Sequence, residues 1–119
     1  MVKPVDRPQG AASRLASFAH ALRGLAVLLR QPNARIHTAA SVLVVWAGWY
    51  FDVSRLEWAL LIGAIGAVWT AEALNTAIEW AVDLASPQHH ALAGKAKDVA
   101  AAGVLLASLS AVGIGALVF

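Results

Sequence analysis

Apolar residues recur at spacings of three and four between Ser13 and Arg30, where Leu15, Phe18, Leu22, Leu25 and Leu29 share one side and Arg14, Ser17, His20 and Arg23 take the rest of the wheel. The spacing predicts an amphipathic helix over 13–30. Its basic polar side, and its place ahead of the first long apolar run, set it in the plane of a membrane interface. Pro32 disfavours helix at Gln31, so the chain is expected to turn there, and Gln31 to His37 reads as a polar hinge. The apolar run over 34–51 predicts a first membrane span near the lower limit of length. Arg35 and His37 mark one end of it, and Trp46, Trp49, Tyr50 and Phe51 bunch at the other. With Trp58 beyond the short link from Asp52 to Arg55, these aromatics form a belt at one water boundary. A second span is expected over 56–85, ended by Ser86 and Pro87, and a third over 98–119, with 91–97 a loop or a short helical lead-in. Gly103, Ala107, Ala111 and Gly115 repeat every fourth position in the third span, a groove suited to close helix approach.

Composition turns this pattern into a fold class. The chain has 119 residues, of which 60% are hydrophobic and only 13% charged, too apolar for an ordinary soluble domain. The expected architecture is an all-α membrane protein: an interfacial amphipathic helix and three transmembrane helices in one domain over 13–119, after a flexible tail over 1–12. No cleavable leader is expected, because the first apolar stretch lacks a small-residue cleavage site. With no cysteine, disulfides and thiolate metal sites are excluded. A net charge of +2 gives no case for a nucleic-acid partner. The basic residues instead report orientation. Lys3, Arg7, Arg14, Arg23, Arg30 and Arg35 precede the first span and Lys95 and Lys97 separate the second from the third, whereas Arg55 alone lies in the opposite link. The amino terminus and the region from Glu79 to Asp98 are therefore expected on the cytoplasmic side.

The second span carries the candidate chemistry. At about 100° per residue, Glu72, Asn75, Glu79 and Asp83 fall within roughly 80° of one helix face. From Trp58 to Glu72 the helix rises roughly 21 Å, so the stripe begins past the bilayer middle and emerges towards the far surface. A charge at that depth is costly and calls for a bundle interior or a water-filled cavity. Two uses fit: an enzymatic site, or a non-enzymatic stripe that conducts protons or binds a cation. Three short spans form only a thin bundle, so self-association is expected to cover the carboxylates. His37, His89 and His90 do not make a zinc site, since adjacent histidines diverge and no second pair stands at helical spacing. Trp69 and Trp80 read as lipid-facing or packing residues. Gly63 and Gly66 lie inside the span with no Lys-Ser or Lys-Thr after them, so no glycine-rich phosphate loop is present.

The ordered set Glu72-Ala73-Leu74-Asn75-Thr76-Ala77-Ile78-Glu79, Asp83, His90 and Ala96-Lys97-Asp98-Val99-Ala100-Ala101-Ala102-Gly103-Val104-Leu105 resembles the signature of the prokaryotic diacylglycerol kinase and undecaprenol kinase family. The resemblance runs from about Ser17 to the end and includes Asn33-Ala34-Arg35-Ile36-His37. It implies a homotrimer in the bacterial inner membrane that moves the γ-phosphate of ATP, with Mg²⁺, to the hydroxyl of a lipid at the cytoplasmic interface. By the same resemblance Glu72 is the general base, Glu79 holds the nucleotide-bound metal, Asn75 stands near the transferred phosphate, and Lys97, Asp98 and His90 contact the nucleotide. Arg14 and His20 are candidate nucleotide contacts on the leader helix. The family commonly has a second metal-binding glutamate where this chain has Gln31, whose carboxamide can coordinate Mg²⁺ but brings no charge. That substitution is either a subgroup variation or a loss of activity. Diacylglycerol and undecaprenol both remain as acceptors, with a slight lean of wording towards undecaprenol.

Overall fold

The computed structural model describes residues 10–119, and over them the chain forms four helices and no strand. The tail expected over 1–12 lies outside the described residues up to position 9. Helix α1 spans Ala11–Leu29, α2 Pro32–Tyr50, α3 Arg55–Ala85 and α4 Ala91–Val118. The chain divides into two compact units, 1–35 and 36–119.

In the first unit α1 starts from Gly10, whose φ of 115° only glycine adopts readily, and it carries no side-chain cap. Leu15, Phe18, Leu22, Leu25 and Leu29 are all exposed, while Leu28 and Ala34 are buried. The helix closes as the N–H groups of Arg30 and Gln31 return to the carbonyls of Val27 and Leu28 at 3.2 and 3.0 Å. The turn expected at Gln31 is there, but the hinge expected over 31–37 is not. Helix α2 begins at Pro32, and the Ala34 N–H already bonds the Gln31 carbonyl at 3.0 Å. The reason is positional: proline at the first residue of a helix gives up only an N–H that has no helical partner there.

The second unit holds the rest of α2 with α3 and α4. The α2–α3 link is tight. Asp52 takes a left-handed conformation, φ 50°, and the N–H groups of Asp52 and Val53 return to Trp49 and Gly48 at 3.3 and 3.1 Å, closing α2 in a Schellman arrangement. Ser54 then starts α3 with a capping box: its hydroxyl accepts from the Glu57 N–H at 3.1 Å, and the Glu57 carboxylate accepts from the Ser54 N–H at 3.0 Å. Gly48 is buried against the indole of Trp58, so close that an added Cβ would sit 2.6 Å from the ring.

Helices α3 and α4 run antiparallel. The Asp83–Lys97 ion pair joins them near the 86–90 link, and at the other end Phe51 meets Phe119 with ring centroids 5.9 Å apart. His90 starts α4, its Nδ1 accepting from the Leu92 N–H at 3.0 Å. The helix then continues through 91–97 without a break, so this stretch is the helical lead-in rather than a loop. The buried residues of α3 change in chemistry along its length, from Leu61 and Ala64 to Glu72, Asn75 and Thr76. No residue of α4 is fully buried.

Both α3 and α4 are long and apolar enough to cross a membrane. Helix α2 is not of that class. Its first turns carry the polar residues Asn33, Arg35 and His37, which lower its hydropathy relative to α3 and α4. The outward side chains of α3 and α4 are greasy: Ile62, Leu74, Leu84, Leu106, Val112 and Leu117 are all exposed. Apolar exposure on this scale exceeds what a soluble monomer shows.

Candidate active site on the buried face of helix three

Glu72 is 3% exposed, and Asn75 and Thr76, one turn further on, are 8% each. Helical periodicity aligns them; burial follows because their face is the one α3 turns inward. Glu72 is paired across to α2. Its Oε2 lies 3.3 Å from Nε2 of His37, whose side chain is itself largely buried. An ionised carboxylate can only accept, so with Glu72 charged the proton of this bond resides on His37 Nε2. The other oxygen, Oε1, bonds to no described residue.

Ser41 links His37 to Trp69. The Ser41 hydroxyl donates to the His37 carbonyl at 2.7 Å and accepts from Trp69 Nε1 at 3.0 Å. The Trp69 ring also meets the imidazole edge-on, with centroids 5.7 Å apart. Trp69 is therefore more than the packing residue expected of it, since its indole N–H ties α3 to α2. His37 further lines an apolar cleft of about 90 Å³, with Ala40, Val44, Ala64, Val68 and Gly115.

Asn75 Oδ1 is buried with no hydrogen-bond partner among the described residues. Leaving a buried acceptor unmade costs about 1–3 kcal/mol. Glu79, one turn on, is half-buried and enters no ion pair among the described residues. A carboxylate and an orphaned carboxamide oxygen on one face form a hard, oxygen-only donor set. That set suits Mg²⁺ completed by substrate phosphates rather than an all-protein metal cage. The described residues hold no cluster of three or more His, Asp or Glu side chains.

Towards the 86–90 link the stripe meets a second polar group. Asp83, Gln88, His89, His90 and Lys97 line a pocket of about 220 Å³. Lys97 is ion-paired with Asp83, while its sequence neighbour Asp98 is exposed. Arg14, His20 and Gln31 belong to the first unit. There Arg14 is exposed, Arg23 Nη1 lies 3.3 Å from His20 Nδ1, and the Gln31 amide donates to the Val27 carbonyl at 3.4 Å.

Sequence reasoning missed His37 as the partner of Glu72, and it missed the burial of Thr76. A faint signal was available for His37. Counted outward from the 51–54 link along antiparallel helices, His37 and Glu72 stand within about one helical turn of the same height.

Comparison with known proteins gives this constellation a context. The sequence profile described as prokaryotic diacylglycerol kinase matches residues 19–119. The chain belongs to the prokaryotic diacylglycerol kinase family. It is 40% identical over 104 residues to the undecaprenol kinase of Bacillus subtilis, covering 87% of this chain and 85% of that one. It is 40% identical over 109 residues to a diacylglycerol kinase of Synechocystis, covering 90% of this chain and 62% of the longer relative. With the diacylglycerol kinase of Escherichia coli it shares 36% over 87 residues, covering 73% and 71%. Family membership makes the protein a lipid kinase and favours an enzymatic use of the α3 stripe over an ion-conducting one. With two helices fit to cross a bilayer, it also assigns the protein to a bacterial membrane.

Proposed function

We propose that this protein transfers the γ-phosphate of ATP to the hydroxyl of a lipid alcohol, undecaprenol or diacylglycerol, at the cytoplasmic face of the bacterial inner membrane. The observation that carries this reading is a carboxylate buried to 3% exposure which, among the described residues, is held through one oxygen and free at the other, beside an Asn75 Oδ1 with no partner among them. Glu72 is the general base. As the lipid oxygen attacks phosphorus, its proton passes to Oε1, and such proton transfer is worth about 10²- to 10⁴-fold in rate. The apolar cleft beside His37 suits the hydrocarbon that adjoins that hydroxyl.

Phosphoryl transfer asks the protein mainly to position the reactants and to stabilise charge on the phosphate oxygens. Glu79 and Asn75 would hold Mg²⁺, which when bound would neutralise those oxygens. Lys97, Asp98 and His90 would face the nucleotide from the 86–90 end of the site. In this reading α2, covering most of 34–51, joins 56–85 and 98–119 as a third span, the 13–30 helix lies in the interface, the amino terminus is inside, and three copies assemble. Relatives named for each acceptor share 40% identity with the chain, so both lipid alcohols are carried into the test.

Radiolabelled ATP offered with each lipid in mixed micelles tests the proposal. Label is expected in the lipid phase with Mg²⁺ present, and Glu72→Gln is expected to lower kcat by about 10²- to 10⁴-fold. Full activity in that variant removes Glu72 as the base, and the absence of lipid-dependent transfer removes the reading.

A further inference from the structure

We infer that His37 is the positioning residue of Glu72. It holds Oε2 so that Oε1 alone meets the acceptor hydroxyl, an inference that rests on the kinase reading above and adds a residue to it. The bond joins two different helices: Nε2 on α2 reaches 3.3 Å to Oε2 on α3, at the most buried charged side chain of the described residues. A glutamate has three rotatable bonds, and at this depth little else is present to orient it. Of the described residues, only His37 bonds the Glu72 carboxylate.

The imidazole is in turn held from behind. Ser41 bonds the backbone carbonyl of His37, Trp69 bonds Ser41, and the Trp69 ring packs edge-on against the imidazole. This chain of contacts leaves and rejoins α3 within one turn, from Trp69 to Glu72, so the base is registered against its own helix through α2. His37 also lines the apolar cleft and therefore stands where polar chemistry and hydrocarbon meet. Its N–H prevents Oε2 from turning towards that cleft uncompensated, which would leave a buried acceptor unpaired.

In the transfer step the acceptor oxygen forms its bond to the γ-phosphorus, the bond from that phosphorus to the oxygen of departing ADP breaks, and the hydroxyl proton moves to Glu72 Oε1. His37 gains and loses nothing. Its contribution is geometric, and a misplacement of about 1 Å at a reacting group can cost on the order of 10²-fold.

The test uses the full chain in micelles, with kcat and KM measured separately for ATP and for lipid. His37→Ala is expected to lower kcat by about 10- to 100-fold with KM for ATP within about twofold of wild type. His37→Gln, whose amide nitrogen stands as many bonds from Cβ as Nε2 does, is expected to restore most of the loss. In a Glu72→Gln background His37→Ala is expected to cost almost nothing further, because residues acting as one unit are not additive. A kcat for His37→Ala within twofold of wild type overturns the inference, as does a His37→Gln protein no better than His37→Ala. A loss that persists undiminished in the Glu72→Gln background also overturns it, since His37 would then act without Glu72. If the wild type transfers phosphate to neither lipid, the kinase reading falls and this inference with it; every other adverse result leaves that reading standing.

Discussion

Asn75 shows most clearly how a residue can be costly for the fold and still belong there. Its Oδ1 is buried and unpaired, while Thr76 beside it and Glu72 one turn back are equally enclosed. A polar atom in that state lowers stability unless it serves a ligand. Asn75→Leu, which keeps the volume and removes the orphan, is therefore expected to leave the thermal midpoint in detergent unchanged or raised. The same variant is expected to lose phosphoryl transfer by two orders of magnitude or more, the scale of a group that works on transition-state charge. Measuring both quantities on one preparation decides the point, because a midpoint that falls with activity would make Asn75 structural. The alignment of Glu72, Asn75 and Glu79 was legible in the sequence, as helical periodicity alone puts them on one face. The bond from His37 to Glu72 was not, because it depends on how α2 is rotated about its own axis.

At the scale of elements, helix ends and close approaches decide where the site residues stand. The Schellman closure at Asp52 and the capping box at Ser54 turn the chain within four residues and set α3 antiparallel to α2. Local rules reach this far: Ser54 with Glu57 three residues on is a readable start signal. They reach less far at Pro32, where the disfavoured residue before proline marks the turn but the polar residues after it read as a hinge. Those residues are helical, and this is what lifts His37 to the height of Glu72. Gly48 carries a constraint that no local rule reveals, because the indole against it comes from the next helix. Gly48→Ala is expected to destabilise the protein by about 1–3 kcal/mol through overpacking, read as a lowered thermal midpoint. In a Trp58→Leu background the same substitution is expected to cost less, since the two residues share one contact. Equal costs in both backgrounds would mean that the glycine matters for its backbone and not for the indole.

As a whole molecule the chain leaves α4 without a fully buried residue and turns large apolar side chains outward along α3 and α4. Lipid covers such a surface, but it does not cover the half-buried Glu79 at the edge of the stripe, and a carboxylate facing hydrocarbon is costly. On the proposed three-copy assembly, light scattering of the purified protein, corrected for bound detergent, is expected to read a protein mass three times that of one chain; a monomer that is active would contradict that assembly. What the amino-acid sequence determined by itself is the set of properties carried by periodicity and transfer free energy. These are the helical class, the membrane setting of α3 and α4, and the common face of the carboxylates, because each depends only on residues near one another in the chain. Tertiary structure alone decided which residues meet across helices: His37 with Glu72, Trp69 with Ser41, Lys97 with Asp83, and the indole of Trp58 with Gly48. The physical reason is that such pairs depend on the rotation and height of one helix against another. Those are set by the packing of all the facing side chains together and by no stretch of sequence alone.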